Sequence, residues 1–190
     1  MKNCTLSLVL TLPLLVTSSA LAQHEKFTAD PAKSTVSFTL GANDGDIHGT
    51  FHAQGASIEF DPKAHTIAGS VDVNAATGNS GSGSRDKKMT KDVLDAPHFA
   101  DVTFAPKSYT GELAVAGLSK IEVTGTFTLH GTPHEIKVPV EVYVDGTTCT
   151  VKTKFPVPYV AWGLKDPSFM MFKVAKEVAV DLSLTGQLSN

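Results

Sequence analysis

The 190-residue chain holds only two cysteines, Cys4 and Cys149. Cys4 falls in a segment that reads as a leader and is badly placed for lipidation. One cysteine then remains, and no disulfide can form within the mature chain. One Trp and three Tyr are too few for the two aromatic girdles of an outer-membrane barrel. No apolar run reaches the roughly 20 residues of a membrane-spanning helix. Positive charge is not in excess, with 16 Lys and Arg against 19 Asp and Glu. That balance argues against nucleic acid, and against an anionic membrane surface, as a main partner. Helical spacing of apolar residues is nearly absent, and no internal repeat is evident.

The chain opens with Lys2, an apolar stretch from Leu6 to Val16, and the small-residue site Ala20-Leu21-Ala22. This is the pattern of a secretory signal peptide. Residues 1–22 are therefore expected to be removed, which places the protein in the periplasm or outside the cell. Residues 23–190 then form a single domain, large enough to bury a core.

Period-two alternation dominates the rest. Val36, Phe38 and Leu40 share one parity, as do Ile121, Val123, Gly125, Phe127 and Leu129. Ile136 to Val144 and Val178 to Leu188 repeat the pattern. Alternation gives each strand one apolar and one polar face. Strands are expected over 34–41, 47–54, 56–61, 65–74, 101–110, 117–130, 134–145, 147–156 and 173–188. Asn43-Asp44-Gly45, Asp61-Pro62, Gly131-Thr132-Pro133 and Asp145-Gly146 mark turns between them. Sequential strands joined by short turns imply an all-β protein, either an antiparallel up-and-down barrel or a sandwich.

Two segments break the alternation. Gly78 to Ser84 is rich in Gly and Ser and precedes a short helix near 86–94. Ser84 is placed to cap it, and Met89 and Val93 stand one turn apart on one face. Arg85, Lys87 and Lys88 make this turn basic, a candidate seat for a lipid headgroup. The glycine spacing matches neither the P-loop nor the dinucleotide fingerprint. The second segment, Pro156 to Phe172, carries Tyr159, Trp162, Phe169, Met170, Met171 and Phe172. So greasy a loop is expected to pack over an opening or onto a partner.

Catalytic and metal patterns are weak. His48 and His52 are four apart, which on a strand separates them by about 13 Å. His130 and His134 flank a turn, but no further ligand completes a metal site there. No G-x-S-x-G occurs. Cys149 shares parity with Val151 and Phe155 and reads as a small buried hydrophobe. Neither a catalytic residue, a metal nor a cofactor is assigned.

The central segment resembles the YceI-like family of secreted bacterial lipocalin-like proteins. The matching pieces are Gly49-Thr50-Phe51, Ile58-Glu59-Phe60-Asp61, Ser70-Val71-Asp72-Val73 with Thr77-Gly78, Arg85-Asp86, Met89, Leu94-Asp95 and Val102-Thr103-Phe104. Gly125 to Gly131 and Trp162 to Pro167 follow in the same order, with Trp162 bulkier than the pattern suggests. The resemblance spans about residues 27–188. It implies a lipocalin-like barrel of about eight antiparallel strands, with one short helix and a hydrophobic central cavity that holds an isoprenoid chain or a related lipid. It supplies no catalytic machinery.

Parity then nominates the lining: Val36, Phe38, Phe60, Phe104, Phe127 and Phe155 on strands. Phe51, Trp162, Phe169 and Met171 are added from positions where a bulge or loop can reverse the side. Gly69 and Gly125, on inward parity, remove side-chain volume where a channel would run. The expected protein binds a hydrophobic small-molecule lipid, isoprenoid-like or another long-chain amphiphile, and sequesters or transports it. The alternative is an enzyme acting on such a lipid. Nucleic acid and integral membrane insertion are not expected, and a homodimer is left open.

Overall fold

The computed structural model describes residues 25–189. The expected signal peptide, residues 1–22, lies outside them. Nine strands run in order: β1 (Glu25–Ala29), β2 (Thr35–Leu40), β3 (Ile47–Asp61), β4 (Thr66–Asn79), β5 (Asp101–Thr110), β6 (Gly117–Leu129), β7 (Thr132–Asp145), β8 (Thr148–Val157) and β9 (Val178–Ser189). From β3 onward each strand pairs antiparallel with the next. β1 and β2 both lie between β3 and β9, β1 on residues 57–60 and 186–189, β2 on 47–51 and 179–183. They act as one stave broken by a single turn of 3-10 helix, Pro31–Lys33. Asp30 caps that turn through Ala32 N at 3.0 Å. The result is a closed eight-stave antiparallel barrel, which leaves no open sheet edge.

The alternation maps onto the pleat. In β6, Ser119, Ile121, Val123, Phe127 and Leu129 are buried, and in β7 Val138, Val140 and Val144. The outward faces carry exposed cross-strand ion pairs such as Lys120–Glu141 at 2.8 Å and Lys107–Glu135 at 3.3 Å. Each contributes little to stability and chiefly keeps the outer wall wet.

Several boundaries differ from the sequence reading. β1 is additional: five residues offer only Phe27 and Ala29 to a core. The expected strands 47–54 and 56–61 are one strand, β3, whose register shifts at Thr50/His52 and Ala53/Gly55. The shift reverses parity, so Ala53 and Ala56 are both buried. β4 runs on to Asn79, and β9 begins only at Val178. The β6–β7 turn is His130-Gly131, both at positive φ, which suits a two-residue hairpin. Gly69 stands at φ +128, and a Cβ there would lie 2.0 Å from Ser57 O. It permits close approach of two strands and opens no channel.

The helical segment begins three residues earlier than expected and changes type midway. α1 (Gly83–Lys87) passes directly into a π-helical turn, Lys88–Val93. Ser82, not Ser84, occupies the N-cap position, with no side-chain bond there. Asp86 instead turns back to accept from Ser80 N at 2.7 Å and from Ser80 Oγ. Those bonds, together with Arg85, hold its carboxyl below the usual carboxylate range. Among the described residues no helix is long and apolar enough to cross a membrane.

Candidate lipid cavity

Inward side chains do not fill the barrel. A cavity of about 390 Å³ runs from the 62–65 and 111–116 turns at one end to the helical cap at the other. β6 alone spans thirteen residues; tilted across the wall, that length gives a bore roughly 30 Å long. The lining is almost wholly apolar. Its charged members are Glu25 at the turn end and Arg85 and Lys88 at the cap end. An apolar cavity of this kind stays dry or takes a hydrocarbon.

Seven of the ten residues nominated from sequence line it: Val36, Phe38, Phe51, Phe60, Phe104, Phe127 and Phe155. Phe38 and Phe51 pack at 5.5 Å, and Phe127 meets Phe155 edge-on at 5.9 Å. Phe51 and Phe60 have opposite parity in one strand. Both face inward because the shift near Gly55 lies between them. The other three lie elsewhere. Trp162 does not line the cavity; it stacks on His134 at 3.9 Å and lies 5.8 Å from Phe127, packed against the cap-end cluster with Tyr159 and Leu164. Phe169 and Met171 point to solvent. The loop after β8 thus has two parts. Tyr159 and Leu164 are buried and plug the cap end, with Tyr159 Oη donating to Ala175 O at 2.8 Å. Burial, and then Asp166, push the Tyr159 phenol up to about 12. The 169–172 tip projects outward.

The cap contributes lining residues that parity did not nominate. Arg85, Lys88, Met89, Val93 and Leu94 all face the lumen. The π turn closes with Leu94 N donating to Met89 O at 2.9 Å. One extra residue in that turn brings Leu94 to the cavity, next to Val93 and below Met89. Arg85 is tied to Ser80, Nε to Oγ at 2.8 Å and Nη2 to O at 2.9 Å. Lys88 Nζ donates to Pro167 O at 2.8 Å, joining cap to loop. Lys87 is exposed and does not line the cavity.

Two glycines let side chains lie flat on the wall. A Cβ at Gly125 would meet Phe104 ring atoms at 2.7 and 2.8 Å. The space that Gly125 frees is taken by that ring, so the glycine widens the bore only indirectly. At Gly78 a Cβ would meet Met89 Cε at 2.4 Å and the Phe51 ring at 2.8 Å, with no backbone atom among its three nearest neighbours. Gly78→Ala should therefore fold and swing Met89 toward the lumen. We expect melting to fall by a few degrees and retention of a bound chain to fall several-fold in a displacement titration. Unchanged retention would show that Met89 yields away from the bore.

The histidines are drawn to separate partners. His130 stacks on Phe99 at 4.4 Å and His134 on Trp162, while His48 Nδ1 lies 3.0 Å from Thr39 Oγ1. Among the described residues no three His, Cys, Asp or Glu side chains are gathered as a metal site would need. Cys149 lines the wall as a buried thiol, which burial pushes up to about 11.

The fold is shared with solved structures. BcnA from Burkholderia cenocepacia superposes with a TM-score of 0.69 at 24% identity, covering 84% of this chain and 99% of that one. A polyisoprenoid binding domain from Saccharophagus degradans, implicated in plant cell wall breakdown, gives 0.66 at 16% identity over 86% and 98%. The Campylobacter jejuni YceI protein gives 0.57 at 15% identity over the full length of both chains. No curated protein sequence matches. The model of the YceI-like domain matches residues 27–186, from Phe27 in β1 to Gly186 in β9. The barrel, its helical cap and its apolar bore are all contained in that match, and the chain belongs to the YceI-like family.

Proposed function

We propose that this protein binds one long-chain amphiphile, isoprenoid-like or similar, in its barrel, and sequesters or carries it through the periplasm or outside the cell. The apolar bore carries this reading: a continuous lumen to which all nine strands contribute aliphatic or phenylalanine side chains, with charge only at its two ends. Each CH₂ buried there contributes about 0.8 kcal/mol, so a few five-carbon units supply roughly 10 kcal/mol gross. Ordering the chain offsets part of that. Polar recognition is then confined to the ends. Arg85 and Lys88 form the cationic end, have no carboxylate within ion-pair distance among the described residues, and suit a headgroup rich in acceptor oxygens. Likeness to a polyisoprenoid binding domain supports the same reading.

No chemistry on the lipid is needed. An enzyme would require a nucleophile within reach of an acid or base in the lumen. Cys149 is buried in an apolar cluster, and that burial holds it as a thiol. Native mass spectrometry of the protein purified from its host tests the proposal. The expected spectrum shows the mature chain with one non-covalent adduct of lipid mass. An empty protein that also fails to take up purified long-chain isoprenoids would overturn it.

A further inference from the structure

The tip of the 158–177 loop is an unusual surface. Phe169 and Phe172 close a tight turn through mutual backbone bonds of 3.0 and 2.9 Å. Phe169, Met170 and Met171 are 67, 74 and 86% exposed. Met170 is held at φ +49, a left-handed conformation that a non-glycine residue seldom adopts. The turn is anchored from the side: Asn43 Nδ2 donates to Met171 O at 2.8 Å, and Lys173 N donates to Asn43 Oδ1 at 3.1 Å. It is therefore a built projection that holds three large apolar side chains in water, where they gain nothing.

We infer that this tip inserts into the surface of a phospholipid bilayer and brings the cap end of the cavity against it. Three observations select a bilayer. First, Phe169, Met170 and Met171 are exposed at the end of a turn braced from the side by Asn43. Second, Lys165, Lys173 and Lys176 flank it in sequence, all exposed and none in an ion pair among the described residues. The acid between them, Asp166, accepts from Ser168 N at 2.9 Å. Hydrogen bonding to Ser168, with the charges of Lys176 and Lys173, holds its carboxyl below the usual range, and Glu177 is a second exposed acid beside Lys176. An apolar point flanked by exposed lysines is the pattern of an interfacial anchor. Asp44 and Asp46 on the neighbouring 41–46 loop, together with Asp166 and Glu177, offset that charge, so apolar insertion provides most of the attraction. Third, the apolar surface is continuous. Phe172 and Pro167 line the cavity, and the Lys88–Pro167 bond fixes that part of the loop to the cap. A chain leaving the bilayer at this point meets apolar side chains from the tip to the bore. The other exposed apolar residues, Val115, Leu118 and Tyr143, lie at the opposite end of the barrel. A second copy docking its tip there would make a heterologous contact, which builds head-to-tail rings or chains and no two-fold dimer.

Use of the tip to load the cavity rests on the proposed function; docking itself does not. The test is flotation of the mature protein with vesicles of phosphatidylethanolamine and phosphatidylglycerol at 3:1. The wild type should float. The triple variant Phe169→Ser, Met170→Ser, Met171→Ser should lose at least tenfold in partitioning while keeping its melting temperature, because these side chains pack on little. Lys165→Gln, Lys173→Gln and Lys176→Gln together should cost several-fold, and only on vesicles containing phosphatidylglycerol. Met171→Trp should bind at least as well and show a blue-shifted emission on vesicle addition. Absence of wild-type flotation, equal flotation of the serine variant, or an unshifted Trp spectrum would overturn the inference. Tip-dependent self-association without flotation would also overturn it. Uptake of a fluorescent single-chain hydrocarbon without vesicles separates the two claims. Tip-dependent flotation with no uptake would sink the lipid-binding reading and leave the docking site standing.

Discussion

Phe127→Asp should come close to unfolding the protein. The Phe127 ring is 8% exposed, lines the bore, and packs on Phe155 and Trp162 within a cluster that includes Leu129, Val157, Tyr159 and Leu164. Truncating a buried phenylalanine costs about 3–5 kcal/mol. An unpaired carboxylate in hydrocarbon adds to that or takes up a proton. A domain's whole stability is typically about 5–15 kcal/mol. Melting should fall by more than about 10 °C, and bound lipid should be lost with it. The pH dependence has a definite sign. A carboxyl in this lining is protonated in the folded state, so its folded pKa is raised above the unfolded value. Any stability the variant retains is greatest at low pH and declines as pH rises through the folded pKa. Phe127→Leu, which keeps the site apolar, should cost only a few degrees and show no such slope. Wild-type melting of the Asp variant at neutral pH would mean that this face of β6 does not point inward.

The inward set on β6 and β7 was legible because nothing interrupts the register there. Thirteen consecutive pairs join the two strands, so the parity of Ile121 fixes that of Phe127. β3 and β5 are different. Register shifts at Ala53/Gly55 and at Pro106/Ser108 reverse the buried parity in mid-strand. Phe104 and Tyr109 are thereby both turned inward from opposite parities. A bulge consumes one residue and leaves no composition signal beyond a glycine or proline, so the sequence shows that a reversal is available and not where it falls. The loop residues were harder for a plainer reason. Without a period, hydrophobicity alone cannot separate Tyr159 and Leu164, which plug the bore, from Phe169 and Met171, which project from it. Leu94 reaches the lumen only through the π turn, and that turn depends on backbone bonds that no residue spacing announces.

The bore also sets up a test that separates an open lumen from a packed core. Val142 lines the cavity and lies between two of the buried clusters, touching both. Its partial exposure is exposure to the void, since its neighbours Glu141 and Tyr143 face outward. Val142→Trp should fill part of that void. Overpacking a close-packed core costs about 1–3 kcal/mol, which for a chain of this size lowers melting by roughly 3–10 °C. Filling an empty bore replaces missing contacts and should leave melting within about 3 °C of wild type, or raise it. Binding moves the other way. A ring across the lumen blocks the path of a threaded chain, and affinity for a long isoprenoid should fall at least tenfold, about 1.4 kcal/mol. A short chain that ends before residue 142 should bind almost unchanged. Leu118→Trp is the control, because Leu118 lies on the outer face of β6, opposite Tyr143. It should alter neither quantity. If Val142→Trp binds a long isoprenoid as wild type does, the chain does not thread the barrel past β7, and the ligand must be held wholly in the cap half.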